Sequence, residues 1–278
     1  MNDEEKVFLT SELHTSSQLK PGFWLDTSIN ALILAGGSGS RFHPYTEIIP
    51  KPMIPIGRNE KPVLELIVNW LKKWGIRDFV FLVNYKWKYI YNYFGDGARF
   101  GVRIKYSLDD EREGYFGTGG AVLKAYRTGE AKGRCLIWYG DILATLNLED
   151  LVKFHEKHDA DLTLVVASKY QVPVGVVRVN SDSRVTYIAE KPVLDIPVTI
   201  GIALAEEHVF RERIEDSLGK SFDFVGDLVP WLLERNFKVY AYMYDGEWFD
   251  VGSLERYKKL DVNFVSMLEE LADSNAVR

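Results

Sequence analysis

Short apolar runs alternate with segments of helical periodicity along the first half of the sequence. The apolar runs predict strands at 29–37, 78–84, 103–109 and 134–141, and the segments between them predict helices at 62–74, 85–97 and 119–129. A nearly unbroken apolar run is typical of a parallel strand that is covered on both faces. The alternation therefore predicts an α/β fold with a doubly wound, mostly parallel mixed sheet.

The second half of the sequence alternates less regularly between predicted strands and helices. It predicts helices at 148–158, 221–235 and 254–271, strands at 161–168 and 238–246, and a hairpin over 174–192. No Gly/Ser-rich or Pro-rich linker divides the chain. We therefore predict one domain over 29–262, preceded by a polar extension over 1–28 and followed by a helix end and tail over 263–278.

Composition excludes several classes of function. The formal net charge of −6 argues against a general nucleic-acid binder, which needs a basic face. No apolar stretch approaches the length of a membrane span. The single cysteine, Cys135, lies in the apolar run CLIWY, which predicts a buried thiol and, because no intrachain disulfide can form, a cytoplasmic protein.

A glycine-rich loop, GGSGSR at 36–41, follows the first predicted strand. Glycines such as Gly36, Gly37 and Gly39 let backbone N–H groups approach an anion closely. The loop is neither a Walker loop nor a dinucleotide fingerprint, since no Gly-Lys-Ser/Thr follows and Phe42 occupies the third glycine position. Arg41 and Lys51, the latter held between two prolines, add two cations that suit a polyphosphate.

Two aspartates follow predicted strands far apart in the chain. Asp141 comes after LIWYG, and Asp250 lies in EWFDVGS. Either carboxylate alone could cap a helix, but a pair of this kind fits a shared Mg²⁺ site, because Mg²⁺ is usually held by one or two carboxylates together with substrate phosphates. Zinc finds no support in the scattered histidines, and we predict that His155 and His158 form a solvated helix face.

The segment GGSGSRFHPYTEIIPKP resembles the signature of the sugar-1-phosphate nucleotidyltransferases, G-G-x-G-T-R-L-x-P-L-T-x-x-x-P-K-P, with differences at Ser40, Phe42 and Tyr45. The segments FGTGGAV, GD at 140–141, EKP at 190–192 and WFDVGS also resemble segments of that family. The resemblance covers roughly residues 29–262. It implies a Rossmann-like nucleotidyltransferase fold with a small β-rich sugar-binding part. No appended left-handed β-helix domain is expected, because the chain ends after the closing helix.

The resemblance also implies a role for each matching residue. Arg41, Lys51, Asp141 and Asp250 would be catalytic, and Asp141 and Asp250 would hold Mg²⁺. The nucleotide would contact Ala35, Gly36, Gly37, Gly39, Arg41, Lys51, Asn84, Gly117 and Thr118. The sugar phosphate would contact Gly175, Glu190, Lys191 and Thr199.

Thr199 marks a departure from the family pattern. The family commonly has N-A-G before the strand that lines the sugar site, and this chain has TIG at 199–201. Threonine keeps a hydroxyl but lacks the donor-and-acceptor pair of an amide. The departure indicates that the sugar, or its recognition, differs from the common case.

The implied reaction converts a nucleoside triphosphate and a sugar-1-phosphate into a nucleotide sugar and pyrophosphate. The segments VNY, YFGDG and GDILATLNLEDL resemble mannose-1-phosphate guanylyltransferases more than thymidylyltransferases. Glucose-1-phosphate with dTTP or UTP stays open, as do a cytidylyltransferase acting on an alcohol phosphate and a non-catalytic regulatory relative that binds nucleotide sugars. The aromatic-rich segments suggest a homo-oligomer.

Overall fold

The computed structural model describes residues 29–109 and 112–273, so the predicted extension over 1–28 lies outside the described residues. In chain order the strands are β1 (Asn30–Leu34), β2 (Pro55–Ile56), β3 (Lys61–Pro62), β4 (Asp78–Val83), β5 (Arg103–Leu108), β6 (Cys135–Tyr139), β7 (Ile142–Ala144), β8 (Leu162–Ala167), β9 (Tyr170–Gln171), β10 (Gly175–Val179), β11 (Val185–Glu190), β12 (Val193–Leu194), β13 (Val198–Ala205), β14 (Val239–Tyr244) and β15 (Trp248–Asp250).

Helices connect most of these strands. The α-helices are α1 (Val63–Lys73), α2 (Trp87–Phe94), α3 (Gly117–Arg127), α4 (Leu148–Lys157), α5 (Ile214–Leu218), α6 (Val229–Glu234), α7 (Leu254–Tyr257) and α8 (Val262–Asp273). Short 3-10 turns lie at Ser40–Phe42, Tyr45–Glu47, Lys51–Met53, Ala98–Phe100 and Glu207–Arg211, and a π turn lies at Phe224–Leu228. No helix of the described residues is both long and apolar enough to cross a membrane.

Among the described residues, seven strands form the central sheet in the order β14-β8-β13-β6-β1-β4-β5. The pairs β6/β1, β1/β4, β4/β5 and β8/β14 are parallel, whereas β13 runs antiparallel to both β6 and β8. This arrangement confirms the predicted mostly parallel mixed sheet. The predicted hairpin is also present, as the separate two-stranded ribbon β10–β11.

Apolar layers cover both faces of the sheet. Adjacent residues of β1 point in opposite directions, so Ile33 packs with α1 and α8 on one face while Leu32 packs with α3 and α6 on the other. Cys135 and Trp138 of β6 divide between the two layers in the same way and are both buried. The burial of the Cys135 thiol confirms the sequence-based expectation.

Two predicted helices differ from those in the structure. The single closing helix over 254–271 is wrong, because the chain forms α7, capped by the Ser253 hydroxyl, and then starts again as α8, where Asp261 accepts a hydrogen bond from the Asn263 N–H at 2.8 Å. The helix predicted over 221–235 begins as the π turn, with the Asp223 carboxylate accepting from the N–H groups of Val225 and Gly226, and continues as α6.

The predicted solvated histidine face is also wrong at His155. Its side chain is 1% exposed, and its ring nitrogens lie 2.8 Å from the Thr163 hydroxyl and 3.2 Å from Glu206. Burial lowers the pKa of His155, and the nearby Arg134 guanidinium lowers it further. The helix turns this residue toward β8, which is why spacing along the sequence did not reveal its burial.

Candidate active site

The carboxyl ends of four parallel strands meet along one edge of the central sheet. β6, β1, β4 and β5 are consecutive neighbours. The segments that follow them are Gly140–Asp141 after β6, 35–37 after β1, Asn84 after β4 and Asp109 after β5. Ligands of open α/β sheets bind outside such strand ends. Candidate residues from four distant parts of the sequence therefore converge on one edge.

The glycine loop passes close to neighbouring backbone. A Cβ atom on Gly36 would lie 3.2 Å from the backbone nitrogen of Asn84. Gly39 has a φ of +66°, and a Cβ atom there would lie 2.8 Å from the Thr46 methyl group. A side chain at position 36 would therefore push the loop away from the end of β4, and one at position 39 would push it away from Thr46. The turn at Ser40–Phe42 that follows presents Arg41 at the surface.

Lys51 lies in the short turn Lys51–Met53, flanked by prolines as the sequence predicted. Its ammonium donates a hydrogen bond to the Oδ2 atom of Asp141. The two side chains are largely buried, at 15% and 18% exposed. The sequence-based prediction placed both residues at the site but did not anticipate this ion pair.

Asp141 and Asp250 lie side by side. β7 and β15 form an antiparallel pair in which Asp250 lies opposite Ile142, and the Val251 N–H donates to the Asp141 carbonyl oxygen at 2.9 Å. Burial raises the pKa of Asp250, and the Asp141 charge raises it further, whereas the nearby cations of Arg256, Lys51 and Arg41 oppose the increase. The two carboxylates are therefore close enough to repel each other.

The carboxylate pair fits a Mg²⁺ ion. Within the described residues, no group of three or more histidine, cysteine or acidic side chains gathers in a metal-binding arrangement. Mg²⁺ does not need such a group, since one or two carboxylates, substrate phosphates and water complete its shell. A dication held by Asp141 and Asp250 would also relieve the repulsion between them, which adds to the effect of burial on the Asp250 pKa.

A first cleft of about 340 Å³ opens above these strand ends. Most of the predicted nucleotide residues line it, namely Ala35, Gly36, Gly37, Lys51, Asn84, Gly117 and Thr118, together with Asp141. Gly39 and Arg41 belong instead to the turn that follows the glycine loop. The cleft is large enough for much of a nucleotide, and the Lys51 ammonium lies at one end of it.

Gly117 and Thr118 fix the start of α3 against the π turn. Gly117 has a φ of +73°, and a Cβ atom there would lie 2.4 Å from the Phe222 carbonyl oxygen. The Thr118 hydroxyl donates to Asp223 at 2.7 Å and accepts from the Phe224 N–H at 2.8 Å. The hydroxyl of Thr118 is thus engaged within the protein, although the residue lines the first cleft.

Asp109 also lines the first cleft, and the sequence-based assignment missed it. Val83 pairs with Leu108, so Asn84 and Asp109 leave the sheet side by side, close enough for the Asn84 amide to act on the pKa of Asp109. Burial raises the pKa of Asp109 to about 6, against the opposing effects of Lys124 and Asn84. The available signal was its position at the end of a predicted strand, which it shares with Asn84 and Asp141.

A second cleft of about 410 Å³ adjoins the first and shares Tyr139 and Asp141 with it. Its lining includes Thr199 and Asp250, as well as Tyr170, Trp248 and Arg256, which the sequence-based prediction did not include. Arg256 donates to the Asp250 Oδ2 atom and, at 3.1 Å, to the Tyr170 hydroxyl. Nothing in the spacing of the segment SLERY distinguished Arg256 from a surface cation.

The other predicted sugar-site residues lie on the exposed ribbon. Gly175 pairs with Glu190 across β10–β11, and a Cβ atom on Gly175 would lie 3.0 Å from a Glu190 carboxylate oxygen. Lys191 has a φ of +48° and donates its N–H to the Val174 carbonyl at 3.2 Å. These residues are not part of the lining that contains Thr199. Lys191 is nevertheless near α7, because it contributes, after Lys259, to lowering the Glu255 pKa.

Comparison with known proteins gives one consistent family. Residues 30–265 match the family model for nucleotidyl transferase. The chain is 33% identical over 247 residues to a UTP–glucose-1-phosphate uridylyltransferase of Synechocystis sp., covering 82% of this chain but only 61% of that relative's length. It is 32% identical over 235 residues to a D-glycero-alpha-D-manno-heptose 1-phosphate guanylyltransferase of Aneurinibacillus thermoaerophilus, covering 83% of this chain and 96% of the relative.

A solved structure has the same fold. HddC from Yersinia pseudotuberculosis, complexed with GMP-PN, superposes with a TM-score of 0.63 at 25% sequence identity, covering 84% of this chain and 99% of HddC. The likeness therefore extends over most of the chain.

Proposed function

Because the chain belongs to the nucleotidyl transferase family, we propose that it transfers a nucleotidyl group from GTP to a manno-configured sugar-1-phosphate, mannose-1-phosphate being the first candidate. The products would be a GDP-sugar and pyrophosphate. One observation carries the reaction class: Lys51, Asp141 and Asp250 meet at the strand ends where the first and second clefts join.

The chemistry needs positioning more than proton transfer. An ionised phosphate oxygen of the sugar-1-phosphate attacks the α-phosphorus of the triphosphate and forms the new P–O bond. The bond from the α-phosphorus to the bridging oxygen breaks, and its electron pair leaves with pyrophosphate. Because the attacking oxygen carries no proton at neutral pH, no general base is required, and alignment and charge neutralisation account for the catalysis.

The residues of the site can supply both effects. Lys51 and Arg41 would neutralise the triphosphate and the departing pyrophosphate, and the backbone N–H groups of Gly36 and Gly37 would approach its oxygens. Asp141 and Asp250 would hold Mg²⁺, which supplies further neutralisation of phosphate charge when bound. The shared edge of the two clefts at Asp141 would place the two reacting groups beside each other.

The pair Asn84 and Asp109 supports guanine as the base. The phosphate-binding end of the first cleft lies over β6 and β1, so the base would lie over β4 and β5, where these two side chains are. An ionised carboxylate only accepts hydrogen bonds, and an amide both donates and accepts. The guanine edge, with one carbonyl oxygen and two adjacent N–H donors, complements an amide donor beside a carboxylate.

Uracil and thymine fit this pair less well. Each has a single N–H between two carbonyl oxygens, and one of those oxygens would face the Asp109 carboxylate without a donor. A buried polar group left without a partner costs about 1–3 kcal/mol, and more when it is charged. The GMP-PN complex of HddC and the guanylyltransferase relative agree with this choice of base.

The second cleft and the ribbon would receive the sugar-1-phosphate. Thr199 lines the cleft, and Gly175, Glu190 and Lys191 would approach it from the ribbon. Lys191 would neutralise the sugar phosphate from the side opposite Lys51, and Glu190 would accept hydrogen bonds from sugar hydroxyls. The hydroxyl of Thr199, in place of the family's usual amide, supports a difference from the common case in the sugar or in its recognition.

A second candidate is uridylyl transfer to glucose-1-phosphate. The relative from Synechocystis supports it at an identity similar to that of the guanylyltransferase. The two candidates differ in the base and in the sugar, so one assay separates them.

The test is pyrophosphate release with Mg²⁺, scanning GTP, dTTP, UTP, CTP and ATP against mannose-, glucose- and N-acetylglucosamine-1-phosphate. We expect the strongest signal from GTP with mannose-1-phosphate and a preference for GTP that falls in Asp109→Asn. A strong UTP and glucose-1-phosphate pair would replace the first candidate with the second. Silence from folded protein that still binds a nucleotide would contradict mannose-1-phosphate as the acceptor and favour an unusual sugar acceptor or a regulatory relative.

A further inference from the structure

Two cations are paired with the two carboxylates of the candidate metal site. Lys51 donates to Asp141, and Arg256 donates to Asp250, in each case to the Oδ2 atom. The four side chains carry two negative and two positive charges. They are partly or largely buried, with Arg256 the most accessible at 37% exposed. A free dication approaching this group meets no net negative charge from it.

The backbones that carry the two carboxylates are fixed. The Asp141 carbonyl oxygen accepts a hydrogen bond from the Val251 N–H, and Asp250 lies within β15. Gly252 allows the Asp250 carboxylate to lie against the main chain, since a Cβ atom there would be 2.5 Å from the Oδ1 atom. Lysine and arginine have long flexible side chains, so any exchange of partners would move the cations and leave the carboxylates in place.

We propose that Arg256 is a resident counter-ion of Asp250, a positioning residue that neutralises this carboxylate until substrates arrive. Its guanidinium would then leave Asp250 for the phosphate of the sugar-1-phosphate in the second cleft, which it already lines. Lys51 has the matching relationship to Asp141 and to the triphosphate. Asp141 and Asp250 would therefore bind a divalent cation weakly in the free protein and tightly only with the nucleotide.

This inference rests on the proposed function only in requiring a divalent cation at Asp141 and Asp250. It makes a prediction that a structural role for Arg256 would not make. If Arg256 merely anchored α7 through Tyr170, its loss would leave metal binding unchanged or weaken it. If it is a counter-ion, removing its charge should strengthen metal binding in the absence of any nucleotide.

The experiment is a titration of nucleotide-free protein with Mn²⁺, in which free Mn²⁺ is measured by its electron paramagnetic resonance signal. We expect Arg256→Gln to bind Mn²⁺ about tenfold more tightly than the unsubstituted protein, because one opposing charge is gone. Arg256→Lys keeps the charge, and Tyr170→Phe removes only the second partner, so both should resemble the unsubstituted protein. Asp250→Asn combined with Arg256→Gln should lose the gain.

Two results would overturn the proposal: equal or weaker Mn²⁺ binding by Arg256→Gln, or a gain that survives Asp250→Asn. Should Arg256→Gln fail to fold, Lys51→Gln tests the same principle at Asp141 and should also bind Mn²⁺ more tightly. The readout is independent of turnover. A silent pyrophosphate assay with the Mn²⁺ difference intact would reject the proposed function alone, and the reverse pattern would reject the counter-ion role alone.

Discussion

Asp141 and Asp250 are brought together by a single backbone hydrogen bond and a three-residue ladder. The Val251 N–H donates to the Asp141 carbonyl, and β15 pairs with β7, the strand that directly follows Asp141. Each aspartate thus sits on, or next to, one strand of the same small pair. The relative position of the two carboxylates in the candidate metal site therefore depends on this backbone pairing.

Lys51→Ala and Asp141→Asn should each lower kcat by about a hundredfold or more, because each removes a fixed charge from the reacting phosphates. Folding should be little affected, since both residues lie at the cleft and outside the apolar layers. Steady-state pyrophosphate release and circular dichroism check the two expectations. Lys88→Ala and Asp182→Asn, at exposed positions, are matched controls. Turnover near that of the unsubstituted protein in either site variant would remove that residue from the mechanism.

Much of this site could be predicted from the sequence because strand ends mark it. Asp141 follows an apolar run and Lys51 is held between prolines, so local pattern located these two, and the family resemblance added Asn84. Asp109 follows an equally clear strand but belongs to no matching motif, and its nearness to Asn84 depends on the pairing of β4 with β5. Strand order is a non-local property that periodicity does not specify.

Arg256 and His155 could not be placed from sequence for a related reason. Each lies on a helix whose surroundings are set by distant elements: α7 beside β9 through Tyr170, and α4 against β8 through Thr163. A polar residue on an amphipathic helix is usually solvated. Its burial, or its contact with a cleft, depends on which strand the helix covers.

The nucleotide preference should depend on pH through Asp109. Below its pKa of about 6 the carboxyl gains a proton and loses acceptor capacity toward guanine, so kcat/KM for GTP should fall as pH decreases through 6. We expect kcat/KM for GTP to be about tenfold lower at pH 5 than at pH 8, after correction for any change in Asp109→Asn, which has no carboxyl group to titrate at this position. Kinetics of both proteins over this range measure it. A parallel pH profile in the two would contradict base recognition by Asp109.

The same residue should also affect stability. The folded pKa of Asp109 lies above its ordinary value of 3.8, at about 6, so the folded state holds a proton that the unfolded state has lost, and stability falls as pH rises between these values. Asp109→Asn removes this loss. Its Tm should exceed that of the unsubstituted protein by about 3 °C at pH 8, and the gain should disappear at pH 4. Thermal unfolding at the two pH values tests this prediction. A larger gain in Tm at pH 4 than at pH 8 would contradict the predicted direction of the pH dependence.

Gly201→Ala should disturb both clefts. Gly201 has a φ of +78°, and a Cβ atom there would lie 2.2 Å from the Tyr139 ring, which lines the two clefts together. The substitution should lower the free energy of unfolding by about 1–3 kcal/mol and raise KM for the sugar phosphate. Gly219→Ala is a matched control, since Gly219 has a similar φ of +70° with nothing within 4 Å of the added atom. Equal effects at the two glycines would assign the loss to backbone strain alone.

The ribbon should act on the sugar phosphate and leave the nucleotide unaffected. Glu190 and Lys191 lie at the end of β11 nearest α7, away from the lining of the first cleft, so their contacts with a ligand would be confined to the second substrate. Lys191→Ala should raise KM for the sugar-1-phosphate by about tenfold, as expected for the loss of one charge-assisted hydrogen bond, and Glu190→Gln should act in the same direction. KM for GTP should stay constant in both variants, because binding energy lost from one substrate does not appear in the constant of the other when the sites are separate.

The control variant is Lys169→Ala. Lys169 is 66% exposed and lies 3.8 Å from Asp195, so its loss tests for a general effect of removing positive charge near the ribbon. A rise in KM for GTP, or no change in KM for either substrate, would contradict a role of the ribbon in binding the sugar phosphate. Thr199 and Arg256 of the second cleft would then be its remaining polar contacts.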